Sequence, residues 1–213
     1  MEFTCLVEIV GDEPVFETGL LLAGDVDPND VRRQLSRWMK AGRIYRLRRG
    51  LYALAPPFQK IRPHPFVIAN HMVRGSYVSL QSALAYYGLI PEVVQVVTSA
   101  TTARPGRWRT PLGSYAFRHI KGELFFGYHR VEVSPGQRAF IATPEKALLD
   151  LVYLQPGGDS QAYLQELRLQ NLERLDLDAL QQMAERAGKP KLRRVVAYVA
   201  RLARVEAEEY ELL

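Results

Sequence analysis

The stretch Asp27-Pro-Asn-Asp-Val-Arg-Arg-Gln-Leu-Ser-Arg-Trp-Met-Lys40, continued by Ala41-Gly-Arg-Ile-Tyr-Arg-Leu-Arg-Arg-Gly-Leu-Tyr-Ala-Leu54, decides how the chain begins to fold. Asp27 is a good N-cap, Pro28 suits the first helical position and Asp30 suits the positive end of the helix dipole. Gly42 can take the left-handed conformation that ends a helix. At 100° per residue Val31, Leu35, Trp38 and Met39 share one side, which predicts the buried stripe. The opposite side collects Asn29, Arg33, Ser36, Arg37 and Lys40, with Arg32 on its flank. Beyond Gly42 the pattern turns extended. Arg43–Leu47 and Leu51–Leu54 are β-prone runs around Arg48-Arg49-Gly50, which predicts a hairpin with a type I turn and Gly50 in the left-handed bulge position.

Two segments precede this one. Phe3, Leu6, Val7 and Val10 recur at helical spacing ahead of Gly11, and a second helical segment runs from about Glu17 or Thr18 through Leu22 to Gly24. Helices followed at once by a basic-tipped hairpin describe a winged helix-turn-helix over residues 1–54. In that arrangement the last helix enters the major groove and the hairpin touches phosphate or the minor groove.

Charge sharpens the expectation. The 213 residues hold 28 Lys plus Arg and 23 Asp plus Glu, a net +5. Residues 1–30 carry eight acids and no Lys or Arg, whereas residues 31–54 carry eight cations and no acid. A merely solvated face would mix signs, and this one does not. Guanidinium forks match guanine O6 and N7, while Lys and Ser reach phosphates. The candidate contacts to double-stranded DNA are therefore Asn29, Arg32, Arg33, Ser36, Arg37 and Lys40 on the helix, with Arg43, Arg46, Arg48 and Arg49 on the hairpin.

Composition excludes several classes. A 47% hydrophobic, 24% charged make-up is that of an ordinary globular chain rather than a disordered one. One cysteine, Cys5, permits no disulfide framework within a monomer and predicts a buried thiol in a reducing cytoplasm. No apolar run approaches the roughly 20 residues that cross a bilayer, and the N-terminus lacks the basic start of a secretory signal.

Proline density over Ala55–Pro65 predicts a linker and lead-in across residues 55–76. Residues 77–213 predict a larger mixed α/β domain ending in helices, so the fold class expected for the whole chain is α+β. Ser79 caps a helix facing inward through Leu80, Ala83, Leu84 and Tyr87. Val93–Ser99, Ser114–His119 and Tyr128–Val133 read as strands. Thr143 and Pro144 open another helix on which Lys146 and Asp150, four apart, form a surface pair. From about Asp159 the chain reads as helical, in segments near 160–173, 177–187 and 190–209. The intervening loop Ser99–Pro111 carries Arg104, Arg107, Trp108 and Arg109, a second cationic site for nucleic acid or a protein partner, unless Trp108 folds back onto the core.

No catalytic signature accompanies these elements. His64, His71, His119 and His129 have no metal spacing, and no Gly-x-Ser-x-Gly elbow, Gly-x-Gly-x-x-Gly turn or Walker loop occurs. Gly113-Ser114 is not followed by the Asp-x-Asp of a nucleotidyltransferase. Neither an enzyme nor a cofactor is expected. The rival to operator recognition is an interaction module that binds an acidic protein or RNA through its basic face.

The order of motifs resembles the AbiEi family of antitoxins and transcriptional regulators: the basic winged helix closing on Leu47-Arg-Arg-Gly-Leu-Tyr52, then Tyr77-Val-Ser-Leu-Gln-Ser-Ala-Leu-Ala-Tyr-Tyr-Gly-Leu89, the Val93–Thr98 strand, and Thr143-Pro-Glu-Lys-Ala-Leu-Leu-Asp150. The resemblance spans roughly residues 15–155. It implies the antitoxin of a type IV toxin-antitoxin pair, whose winged helix represses its own operon and whose larger domain counteracts a nucleotidyltransferase toxin encoded beside it.

Overall fold

The computed structural model describes residues 1–23 and 26–211. Within them eight α-helices and two sheets build a mixed α+β fold. Helix α1 (Phe3–Val10) buries Leu6 and Val10 and leaves Cys5 half-buried rather than buried, because that position lies on the flank of the stripe. Strand β1 (Phe16–Glu17) then leads into a 3-10 turn, Thr18–Leu22, where the sequence predicts a helix. The reason is local. Glu17 is held extended by pairing with Leu51 and offers no side-chain cap, so too few residues remain for an α-helix. The expected stop at Gly24 lies outside the described residues.

Helix α2 (Pro28–Lys40) forms as its caps dictate. The Asp27 carboxylate accepts a 2.8 Å hydrogen bond from the Asn29 N–H, and Gly42 follows the helix with φ +68°. Val31, Leu35 and Trp38 are buried and Met39 half-buried. Strands β2 (Ile44–Arg48) and β3 (Leu51–Leu54) make the hairpin, with a register shift between Arg46 and Arg48 and Gly50 at φ +81°. Strand β1 adds to β3, giving the order β1-β3-β2.

Strand β3 is buried at every position. Its alternation divides it between two apolar clusters. Tyr52 and Leu54 pack with Leu6, Phe16, Leu35, Trp38 and Ile44. Leu51 and Ala53, with Leu47 and Val15, belong to the larger cluster that fills the rest of the molecule. Apolar packing therefore runs across residue 54 without a gap.

The segment expected as a linker is structured in its second half. Helix α3 (Pro65–Met72) buries Val67, Ile68, Ala69 and Met72, and strand β4 (Ser76–Val78) follows. Proline at the first helical position gives up no hydrogen bond, so Pro65 starts a helix where its density suggested a break. His64 is the cap: its Nδ1 accepts from the Phe66 N–H at 3.2 Å. The side chain of Gln137 accepts from the His64 N–H at 2.8 Å and donates to the Arg62 carbonyl at 3.0 Å, which ties the segment down.

The larger sheet has the order β6-β7-β5-β4-β9-β8. It comprises β4, β5 (Val96–Thr101), β6 (Gly106–Thr110), β7 (Gly113–His119), β8 (Tyr128–Ser134) and β9 (Gln137–Ala142). The β4/β9 and β5/β7 pairs are parallel and the others antiparallel. Strand β5 starts three residues later than the sequence suggests, and Val93 is 92% exposed. Helices α4 (Leu80–Tyr86) and α5 (Pro144–Leu154) pack together, and α5 meets α7 (Leu177–Ala187) and α8 (Pro190–Glu211); α6 (Gln161–Glu166) lies between α5 and α7 in the chain. Strand β2 of the small sheet lies against β6 of the large one. Among the described residues no helix is long and apolar enough to cross a membrane.

Burial pushes His64 below its ordinary value near 6.5. Below that value the unfolded chain then binds more protons than the folded one, so stability is full above about pH 6.5 and declines as pH falls. Urea unfolding at pH 7 and pH 5 should show this decline. His64→Asn, which keeps an acceptor at the cap but does not titrate, should reduce it. Part of the slope should remain through His71, which burial also displaces downward.

Candidate nucleic-acid interface

The outward side of α2 has one sign of charge beyond its first turn. Asn29, Arg32, Arg33, Arg37 and Lys40 are exposed and Ser36 is half-buried. Two of the cations are held within the helix. Arg32 Nη1 donates to Asn29 Oδ1 at 3.2 Å, and Arg33 pairs with the Asp30 carboxylate, which raises the guanidinium pKa further. Among the described residues Arg37 and Lys40 make no side-chain hydrogen bond or ion pair. They stand one helical turn apart, as residues three and four apart do.

The hairpin continues this surface unevenly. Arg46 is exposed at mid-strand and Arg49 at the turn. Arg43 is exposed but not loose, since its guanidinium carbon stacks 4.9 Å from the centroid of the Phe3 ring. Arg48 departs from the tip position read from the sequence. It ends β2 half-buried, and its Nε is shielded from solvent without a hydrogen-bond partner. The turn itself is anchored by the Thr18 N–H, which donates to the Gly50 carbonyl at 2.9 Å. Arg46 and Arg49 are thus the hairpin cations open to a ligand.

The second cationic site lies mostly on a strand rather than on a loop. Residues 106–110 form β6, and alternation along the strand separates Trp108 from its neighbours. Trp108 lies edge-on to Phe117, ring centroids 5.3 Å apart, and covers Gly106, where a Cβ would come within 2.5 Å of the indole. A side chain at residue 106 would have to displace the indole. Arg107 and Arg109 are exposed, as is Arg104 in the preceding connection. Trp108 packs half-buried on the core, and Arg107, Arg109 and Arg118 border the same groove beside it.

A buried polar cluster was missed by the sequence. Lys146 and Asp150, read as a surface pair, have side chains only 3% and 1% exposed. Asp150 Oδ1 accepts from Lys146 Nζ, and Oδ2 accepts from Tyr77 Oη at 2.9 Å and Ser79 Oγ at 2.8 Å. Ser79 still precedes α4, but its hydroxyl serves Asp150 instead of capping the helix. The Lys146 ammonium also lies 5.1 Å from the Phe126 ring centroid. Burial pushes the Asp150 carboxyl up and the Lys146 ammonium down, and each charge opposes the other's displacement. Burial, reinforced by Asp150, pushes the Tyr77 phenol up as well. The only hint in the sequence was i, i+4 spacing on a helix that is otherwise apolar from Ala147 to Leu154.

No three His, Cys, Asp or Glu side chains converge as a metal site among the described residues. The sequence matches no protein-family model and no curated protein.

Removing one partner of the buried cluster leaves an uncompensated charge. Lys146→Ala should lower unfolding stability by about 3–5 kcal/mol in urea titration. Lys146→Met combined with Asp150→Asn, which leaves Tyr77 and Ser79 an acceptor, should recover more than half of that loss. An equal or greater loss in the double variant would show that charge pairing is not what the cluster supplies.

Proposed function

We propose that the protein is a sequence-specific DNA-binding transcriptional regulator whose residues 1–54 act as a winged helix-turn-helix. The observation that carries the reading is the outward side of α2: a capped helix with Arg37 and Lys40 unengaged among the described residues, followed at once by a hairpin presenting Arg46 and Arg49. The element order supports it too. A short strand between the first helix and the turn before α2 completes a three-stranded sheet with the hairpin, as the wing of such a domain requires. Helix α2 would enter the major groove with Arg33 and Arg37 toward base edges, and Lys40, Arg46 and Arg49 would neutralise phosphates. The resemblance of the motif order to AbiEi proteins extends the proposal to an autoregulating antitoxin whose partner is a nucleotidyltransferase. An acidic protein docked on the same face is the competing reading.

Fluorescence anisotropy with duplex DNA from the protein's own upstream region tests this. With about three phosphates engaged, by Lys40, Arg46 and Arg49, log affinity should fall against log salt with a slope of roughly −3. Arg37→Ala should weaken the preferred duplex more than random duplex, and Arg49→Ala should weaken both alike. Asp30→Asn releases Arg33 and removes a like charge from the phosphate side, so it should tighten binding severalfold. Salt dependence without preference for the upstream duplex would favour the acidic protein instead.

A further inference from the structure

At the far side of the large sheet a groove of about 500 Å³ opens between α3 and the outer strands. Its floor is aromatic. Phe140 on β9 is 44% exposed and meets Tyr128 of β8 edge-to-face, with centroids 6.1 Å apart. Tyr128 in turn contacts Phe125 at 5.1 Å and stacks on the buried Tyr77 at 4.5 Å, so the floor is backed by a rigid ladder of rings. The Asn70 side chain fixes the Phe140 backbone, accepting from its N–H at 2.6 Å.

The rim is cationic. Arg74, Arg130 and Arg138 line the groove, and no Asp or Glu does. Glu17 holds Arg74 at 2.8 Å from behind, and Glu132 stands 3.9 Å from Arg138. Arg130, opposite Phe140 in the β8/β9 ladder, has no ion pair or hydrogen bond among the described residues. An exposed ring on a rigid floor beside an unengaged guanidinium suits a ligand with a flat π-face and a phosphate on a short tether.

We propose that this groove binds single-stranded nucleic acid, one base stacked on Phe140 and the flanking phosphates paired with Arg130 and Arg138. The volume falls in the range of a single small-ligand site, which fits an unpaired base and its phosphates. A duplex keeps its bases stacked inside and offers no face to Phe140, whereas stacking on aromatic side chains beside a cationic track is how single strands are held. The site is separate from the outward side of α2 and does not depend on its function.

The test is anisotropy of labelled ten-nucleotide oligo-U and oligo-dT against the intact protein and three variants. Both strands should bind, with a log–log salt slope of about −1.4 for two phosphate contacts. Phe140→Ala should weaken binding about tenfold. Arg130→Ala should weaken it severalfold and reduce the salt slope by about 0.7. Arg37→Ala should leave it unchanged, which separates this site from the duplex-binding proposal. Circular dichroism melting of Phe140→Ala confirms that the fold persists, and Arg130→Ala supplies the same readout should it not. A preference for oligo-U over oligo-dT would assign the ligand as RNA, and equal binding would assign either strand. Absence of binding to both strands would overturn the proposal. So would loss with Arg37→Ala but not with Phe140→Ala, or displacement by a ten-residue poly-glutamate as effective as the unlabelled oligonucleotide.

Discussion

Strand β3 is the constraint on which the molecule depends. A strand buried on both faces has no solvent side, so all four of its side chains must suit a core. Leu51 and Ala53 serve one cluster and Tyr52 and Leu54 the other. A shift of register by one residue would exchange the two sets and place a tyrosine where an alanine fits. The turn at Gly50 fixes that register, and β1 pairing with Leu51 and Tyr52 locks it from the other edge. The hairpin is consequently held by both cores rather than projecting as a free flap.

The cations inherit their positions from this packing. Helix α2 rests on the smaller core through Val31, Leu35 and Trp38, so the side bearing Arg37 and Lys40 has no choice but to face outward. The larger core is organised around a polar centre. Asp150 joins a helix, a strand and the residue before α4 through Lys146, Tyr77 and Ser79, and its demand for all three acceptor contacts specifies how α5 sits on the sheet. Whether such a pair adds net stability over an apolar substitute is a separate matter from the penalty for breaking it.

Local signals in the sequence foretold local structure well. The cap and stripe of α2, the hairpin around Gly50 and the cap of α5 at Thr143 all appear at the residues that predict them, because each depends on a few neighbours. What the sequence concealed depended on distant partners. Tyr77 lies more than seventy positions from Asp150, so nothing near Lys146 announces that it is buried. Strand β6 is short and carries Arg107 and Arg109, and it forms only because β7 supplies a ladder. Helix α3 hid behind its own prolines. Trp108 was ambiguous until Phe117 and Gly106 were seen to claim it. Charge clustering identified the exposed arginines on α2, but not that Arg48 would be half-buried or that Asp30 would hold Arg33.

The contact between β2 and β6 has a bearing on solution behaviour. Each is the outermost strand of its own sheet, and an outermost strand offers unpaired amides and carbonyls to any passing chain. By lying against one another the two shield borders that would otherwise recruit further strands. Arg107 and Arg109 add mutual repulsion between any two molecules approaching there. The opposite border, β8, has no such cover among the described residues, and the exposed charges of Arg130 and Glu132 are its defence against edge-to-edge growth. Neutralising those two positions would leave β8 open to pairing with a further strand.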